Sequence, residues 1–292
     1  MNGILLLDKP RGLSSNAALQ RVRRLTGADK AGHVGSLDPL ATGMLPICLG
    51  EATKVAGEIT AARKRYQFSI ALGARTATGD LEGEVVETGA VPVLAAAQVE
   101  LVLDRFRGSQ SQVPPMYSAL KRDGQPLYKL ARAGVTVERA ARQIEIAELS
   151  LLGLAQGQLE LVALCSKGTY IRVLAEDIAR ALGTCGHVVA LRRLYVEPFD
   201  CEPMYTLVEV EAACQDGRVP GMIAADEALP GMPAVRLTAE LAGRLAHGQT
   251  VVVAGGTPDG KVRLYDAQGR FMGLGEADTQ GQVRPRRMFT SG

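Results

Sequence analysis

The sequence holds no apolar run approaching the ~20 residues needed to span a bilayer. Its N-terminal run, Ile4-Leu5-Leu6-Leu7, is cut off by Asp8-Lys9-Pro10. That run is too short for the core of a signal peptide, so a cytoplasmic location without membrane attachment is expected. Cysteine is sparse and scattered: Cys48, Cys165, Cys185, Cys201 and Cys214 form no Cys-x-x-Cys pair, which argues against a disulfide framework or a zinc site. His33, His187 and His247 lack metal-ligand spacing, and no metal is expected. Also missing are the phosphate-loop, dinucleotide-binding and nucleophile-elbow patterns and the zinc-deaminase signature. Chemistry here would proceed without the common cofactors. Aromatic residues make up only 4% of the chain, so few side chains are available for stacking.

What is present fits a globular protein of one large domain and one small one. The chain has 292 residues, 47% hydrophobic and 22% charged, enough to build a full core. The net charge of +2 conceals segregation. Lys9, Arg11, Arg21, Arg23, Arg24 and Lys30 crowd the first thirty residues. Arg63-Lys64-Arg65, Arg192-Arg193 and Arg284 with Arg286-Arg287 form further basic clusters. An acidic stretch from Asp200 to Glu227 offsets them, and such segregation can give a nearly neutral molecule a basic face.

Residues 3–7 read as a buried strand. Ser14-Ser15 can cap a helix that runs to Leu25 and stops at Gly27, with Ala18, Val22 and Leu25 inward and the arginines outward. Residues 27–46 show little periodicity of either kind and read as a long loop. Its leucines are too apolar for a solvated linker, so it is expected to be ordered against the core. Residues 65–72 alternate as a strand, 95–106 read as a helix, and 109–141 as an excursion from the main sheet. Strands at 143–152 and 158–166, a helix at 169–182 and a strand at 187–196 follow. From residue 233 a short helix and several brief strands predict a small β-barrel-like domain.

Within the 27–46 stretch, Asp38-Pro39 lies between Gly35 and Gly43 with apolar Leu37 and Leu40 beside it. An isolated Asp-Pro opens turns. A carboxylate among apolar neighbours, however, needs a cation or donors, and can then act as nucleophile or base.

The stretch Gly32-His33-Val34-Gly35-Ser36-Leu37-Asp38-Pro39-Leu40-Ala41-Thr42-Gly43 resembles the catalytic motif of the TruB-type tRNA pseudouridine-55 synthases, in their bacterial stand-alone form. The resemblance continues in order through Gly3 to Gly12, Lys64-Arg65-Tyr66, Thr76-x-Thr78-x-Asp80, Val113 to Lys121, Cys165 to Arg172, Leu191 to Leu194 and Gly281 to Arg287. Val34 and Ser36 depart from the expected pattern without removing a group the reaction needs. The resemblance implies an α+β pseudouridine synthase fold with a mixed, mostly antiparallel central sheet, and a small C-terminal PUA-like β-barrel domain. The expected catalytic domain is 1–232, with an RNA-gripping insertion at about 108–141, and the PUA-like RNA-binding domain is 233–292.

It further implies an isomerase that flips a uridine of the TΨC loop out of its stack and breaks and remakes the glycosidic bond without a cofactor. By resemblance Asp38 is the essential catalyst, Tyr66 stacks on the base and assists proton transfer, and Arg172 pairs with Asp38. Tyr170 and Leu191 belong to the base pocket, and His33 stacks against displaced bases. Lys9, Lys64 and Arg193 are expected either to contact phosphates or to support the site. The implied partner is the T-arm of tRNA, with no obligate protein partner. Two other readings compete: a guide-RNA-dependent synthase, and an RNA-binding or RNA-folding protein without catalysis.

Overall fold

The computed structural model describes residues 1–290. β1 (Gly3–Lys9) is buried almost throughout, as its unbroken apolar run requires. α1 (Ser15–Thr26) begins where the Ser14 hydroxyl accepts from the Ala17 amide and ends on Gly27 in the left-handed region. The segment expected as a loop is shorter than its sequence suggested. β2 (Ala31–His33) and β3 (Thr42–Leu49) occupy both of its ends, leaving residues 34–41 as the irregular part. β3 is buried on both faces, so its sequence lacks the alternation that reveals a half-exposed strand.

After the short helix α2 (Ala56–Ala61), β4 (Lys64–Leu72) alternates as its sequence predicts. A hairpin of β5 (Ala74–Thr76) and β6 (Val85–Thr88) and the helix α3 (Ala96–Leu103) follow. The expected excursion begins inside the main sheet. Its first residues form the edge strand β7 (Gly108–Gln112), and only then come the small hairpin β8 (Lys121–Arg122) and β9 (Gln125–Pro126) and the helix α4 (Leu127–Arg132). β10 (Arg142–Ala155), β11 (Gln158–Cys165), α5 (Ile171–Ala181), β12 (Gly186–Val196) and α6 (Leu207–Gln215) complete this part.

The main sheet runs β1-β3-β12-β4-β11-β10-β7, with β2 paired to β3. Every pairing is antiparallel except β12 with β3, which meet in parallel at Arg192–Thr42 and Arg193–Gly43. The central sheet is therefore mixed and mostly antiparallel. One face packs α1, α5 and the buried leucines of residues 34–41 into the largest core, around Leu7, Leu45, Phe68, Ile70 and Leu174. Each such side chain contributes roughly 1.5–3 kcal/mol of burial.

The C-terminal part is a five-stranded sheet of β13 (Ala234–Arg236), β14 (Val251–Val252), β15 (Gly260–Tyr265), β16 (Phe271–Ala277) and β17 (Gln282–Met288), with α7 (Ala239–Ala246). It has its own core around Leu245, Val262 and Leu264. A further apolar cluster joins Leu274 and Phe289 to Ile4, Leu6 and Val55 of the main part. Among the described residues, no helix is long and apolar enough to cross a membrane.

Candidate active site

Residues 34–41 are fixed at several points. The Ser15 hydroxyl, at the start of α1, accepts from the Leu37 amide at 2.7 Å and donates to the Leu37 carbonyl at 2.9 Å. Pro39 and Pro46 carbonyls accept from Gly12 and Val34, and the Asp38 carbonyl accepts from Ala41 to close a turn. Leu37, Leu40 and Ala41 are buried in the main core, which explains why a loop of this length carries apolar residues. Gly43 (φ 97°) meets the main chain of Arg193 so closely that any Cβ would collide with the Arg193 carbonyl. The parallel β3–β12 contact, and with it the end of the loop, thus needs glycine there.

Asp38 projects from this turn with a half-exposed side chain. Arg172 meets it from the first turn of α5, donating from Nε to Oδ2 at 2.9 Å. The two other ends of the guanidinium donate to the carbonyls of Thr78 (2.6 Å) and Tyr117 (2.8 Å). Behind it, Asp80 Oδ2 lies 3.7 Å from Arg172 Nε, and the Asp80 side chain is almost wholly buried. Asp80 Oδ1 accepts from the Thr78 hydroxyl and the Glu82 amide. Arg172 is thus oriented by two carboxylates and two carbonyls while itself buried, an arrangement that holds Asp38 in a single pose.

Two chambers flank this pair, and both are lined by Asp38 and Arg172. The smaller, about 400 Å³, is also walled by Tyr66, Tyr170, Leu191, Lys64 and Arg193. Tyr66 on β4 and Leu191 on β12 are both 9% exposed. Tyr170 is held by Gln112 at the end of β7, whose amide group accepts from the Tyr170 N–H (2.8 Å) and donates to its carbonyl (3.2 Å). Burial raises the Tyr66 and Tyr170 hydroxyls above their ordinary range, so both are protonated at neutral pH.

The larger chamber, about 660 Å³, contains His33, Tyr117, Tyr128 and Arg132. The Arg132 guanidinium lies 5.7 Å from the centre of the Tyr128 ring. Burial, with Arg193 as a second cause, lowers the His33 pKa, which leaves a neutral imidazole near pH 7. A neutral flat ring suits stacking better than it suits holding a phosphate.

Lys9, Lys64 and Arg193 are 0%, 5% and 1% exposed. Of the two roles open to them, the geometry favours support of the site. Lys9 Nζ donates to the carbonyls of Pro10 and Leu13, and Lys64 Nζ to those of Thr60 and Ala62. Arg193 donates to the carbonyls of Met44 (2.7 Å) and Gly35 (2.9 Å), clamping the two ends of the Asp38 loop together. Burial lowers the pKa of both lysines to about 8.

Thr78, Asp80 and Tyr117 lie within the motif stretches without a role assigned by them, and Gln112 lies outside those stretches. Their contribution runs through main-chain carbonyls and a buried carboxylate, for which a motif carries no signal. The run Thr76-x-Thr78-x-Asp80 was the one available hint. Among the described residues, no group of His, Cys, Asp or Glu is arranged to hold a metal ion.

A profile described as the N-terminal domain of TruB family pseudouridylate synthases matches residues 23–171. The C-terminal domain of tRNA pseudouridylate synthase B matches 172–223, and the C-terminal region of pseudouridine synthase II TruB matches 233–289. A tRNA pseudouridine synthase B of Stutzerimonas stutzeri (strain A1501) is 49% identical over 295 residues, covering 100% of this chain and 96% of that protein. One from Burkholderia mallei (strain NCTC 10247) is 48% identical over 298 residues, covering 100% and 98%. An H/ACA ribonucleoprotein solved with a substrate RNA containing 2′-deoxyuridine shares the fold at 22% identity, with a TM-score of 0.75 over 99% of this chain and 85% of that one. The chain belongs to the TruB family of pseudouridylate synthases, and its activity is that of a tRNA pseudouridine synthase, an isomerase.

Proposed function

We propose that the chain converts uridine 55 of the TΨC loop to pseudouridine, acting alone on the T-arm of tRNA in the cytoplasm. The observation that carries this reading is the Asp38–Arg172 pair standing between two chambers lined with flat side chains. Removing a base from its stack costs a few kcal/mol. Tyr66, Tyr170 and Leu191 offer the flipped uracil two rings and an apolar wall in the smaller chamber, which is large enough for a pyrimidine nucleoside. His33 and the Tyr128–Arg132 pair receive nucleotides displaced beside it.

Asp38 is the catalytic group. Arg172 keeps its carboxylate aimed at the chamber where the ribose of the flipped nucleotide would lie, and the protonated Tyr66 can assist proton transfer at the ring. No redox change or group donor enters an isomerisation, so these side chains suffice. Residues 1–232 form the catalytic unit in this reading. The 108–141 insertion, which reaches Arg172 through the Tyr117 carbonyl, grips the T-arm. Residues 233–292 extend the RNA contact.

Against the guide-dependent alternative, the relatives at 48–49% identity over the whole chain are each named tRNA pseudouridine synthase B, whereas the ribonucleoprotein shares the fold alone. The test uses purified protein and an unmodified tRNA transcript tritiated at uridine C5, with no guide RNA. Wild type is expected to release tritium and Asp38→Asn to release none. An inactive wild type, or a mutant at full rate, overturns the reading.

A further inference from the structure

Lys64 and Arg193 are cations enclosed in the protein that make no ion pair with a carboxylate among the described residues, and both line the smaller chamber. Main-chain carbonyls solvate them incompletely. Lys64 Nζ has three donors and uses two, on Thr60 and Ala62. The hydrogen bonds of Arg193 to Met44, Val34 and Gly35 come from Nε and Nη2, not from Nη1. The two groups are close together. A Cβ built on Gly35 would lie 3.1 Å from Arg193 Nη1 and 3.8 Å from Lys64 Cε. Gly35 itself lines the chamber, so no side chain there stands between the chamber and the guanidinium, which also lies beside the Tyr66 hydroxyl.

Buried charge without a counter-ion is costly, and it is kept where a ligand or a reaction brings the opposite charge. The resting uracil ring is neutral, and Lys64 and Arg193 are too enclosed to meet a solvated backbone phosphate. The missing negative charge therefore arises during the reaction. We propose that Lys64 and Arg193 form a cationic floor that stabilises the detached uracil as an anion, after its glycosidic bond breaks and before the new carbon–carbon bond forms. This rests on the pseudouridine synthase reading of the same site.

The balance of the step is simple. The N1–C1′ bond breaks with its electron pair moving to uracil N1, and the charge spreads onto O2 and O4. The electron deficiency left on the ribose is met on the Asp38 side. The ring then turns, its C5 supplies the pair for the C5–C1′ bond, the C5 proton leaves to solvent, and N1 takes up a proton, so that the product is an isomer of the starting nucleotide. Asp38 and the cations thus divide the work, one serving the sugar and the other the base. Fixed positive groups aimed at charge that develops only after bond cleavage accelerate the step without tightening ground-state binding.

The test compares single-turnover consumption of the target nucleotide in tRNA transcripts carrying either uridine or 5-fluorouridine. It is run at about pH 6.5, where Lys64 is charged. Fluorine withdraws electrons and makes the ring a better anionic leaving group that needs less help. Lys64→Met is expected to lose about a hundredfold on uridine but less than about tenfold on 5-fluorouridine, with tRNA affinity unchanged. Lys64→Arg, which restores the charge in a different shape, should recover part of the rate that Lys64→Met loses on uridine. Lys64→Gln replaces Lys64→Met if the latter does not fold.

Equal losses on both substrates would mean a positioning role only and overturn the proposal. Weaker tRNA binding with a shallower salt dependence would reassign the cations to a phosphate and also overturn it. So would an unchanged rate. Inactivity of the wild type on uridine would instead strike at the underlying function.

Discussion

The arginines of the two sheets are used in opposite ways. Around the Asp38 loop they are inside the protein: Arg193 is 1% exposed and the Arg172 side chain 6%. Most of their donors are committed to carbonyls and carboxylates at separations of up to 159 residues. In the C-terminal part the Arg270 and Arg286 side chains are 79% and 61% exposed and pair directly with Asp266 and Glu276 at the solvent-facing surface. The first set organises backbone and sets the field of a chamber. The second offers charge to whatever approaches. Sequence clusters of Arg and Lys look alike in both places, so burial rather than composition separates the internal set from the exposed one.

The comparison is broken most decisively at Arg172. Arg172→Ala leaves Asp80 buried and unpaired and frees Asp38, so tritium release is expected to fall by about a thousandfold or more. Stability should fall by about 3–5 kcal/mol in denaturant unfolding. tRNA affinity should change far less, and an unchanged rate would refute the ion-pair role. Asp80→Asn keeps the shape but removes the rear anchor. Here the expected loss is roughly tenfold to a hundredfold in rate, with normal binding. A loss seen only in affinity would place Asp80 among the RNA contacts instead.

A smaller effect tests the buried cations through pH. The folded protein lowers the pKa of Lys9 and Lys64 from 10.5 to about 8, so above pH 8 the unfolded chain binds more protons than the native one. On that account stability rises with pH from about 8. Cys48 and Cys165 are pushed by burial up to about 12 and 11 from 9.0, and above pH 9 they act in the opposite direction. The urea midpoint should therefore rise between about pH 8 and 9 and then level off. Lys64→Met should flatten that rise, and a midpoint that falls across the window would contradict the burial of both lysines.

The smallest effects belong to the exposed set. Arg284→Ala or Arg286→Ala should leave single-turnover rate and folding intact. Each should reduce the salt slope of tRNA binding by about 1 if it contacts a phosphate. A rate defect with unaltered binding would erase the contrast between the two sheets.

Much of the fold was legible because its signals are local. The cap at Ser14, the stop at Gly27, the alternation through Tyr66 and Phe68 and the amphipathic run of α5 depend on residues only a few positions apart. β3 carries no alternation because both its faces are covered, and β7, a short polar edge strand, has the composition of a loop. The candidate site was legible as a set of residues, through motifs that span most of the chain. Its geometry was not. Nothing near Asp38 in sequence names Thr78, Asp80, Gln112 or Tyr117 as the groups that hold its partners.

By itself, then, the sequence determined the family, the principal strands and helices, and the central place of Asp38. Each is written in residue identity or in short-range periodicity. Tertiary structure alone decided that Asp38 meets an arginine 134 residues away, and that Arg172 is shared with a second carboxylate. It also decided that Lys9, Lys64 and Arg193 are buried among main-chain carbonyls rather than exposed to solvent. Ion pairing and desolvation act through space, so the chain's topology had to bring β3, β4, β12 and α5 to one place before those charges acquired their roles.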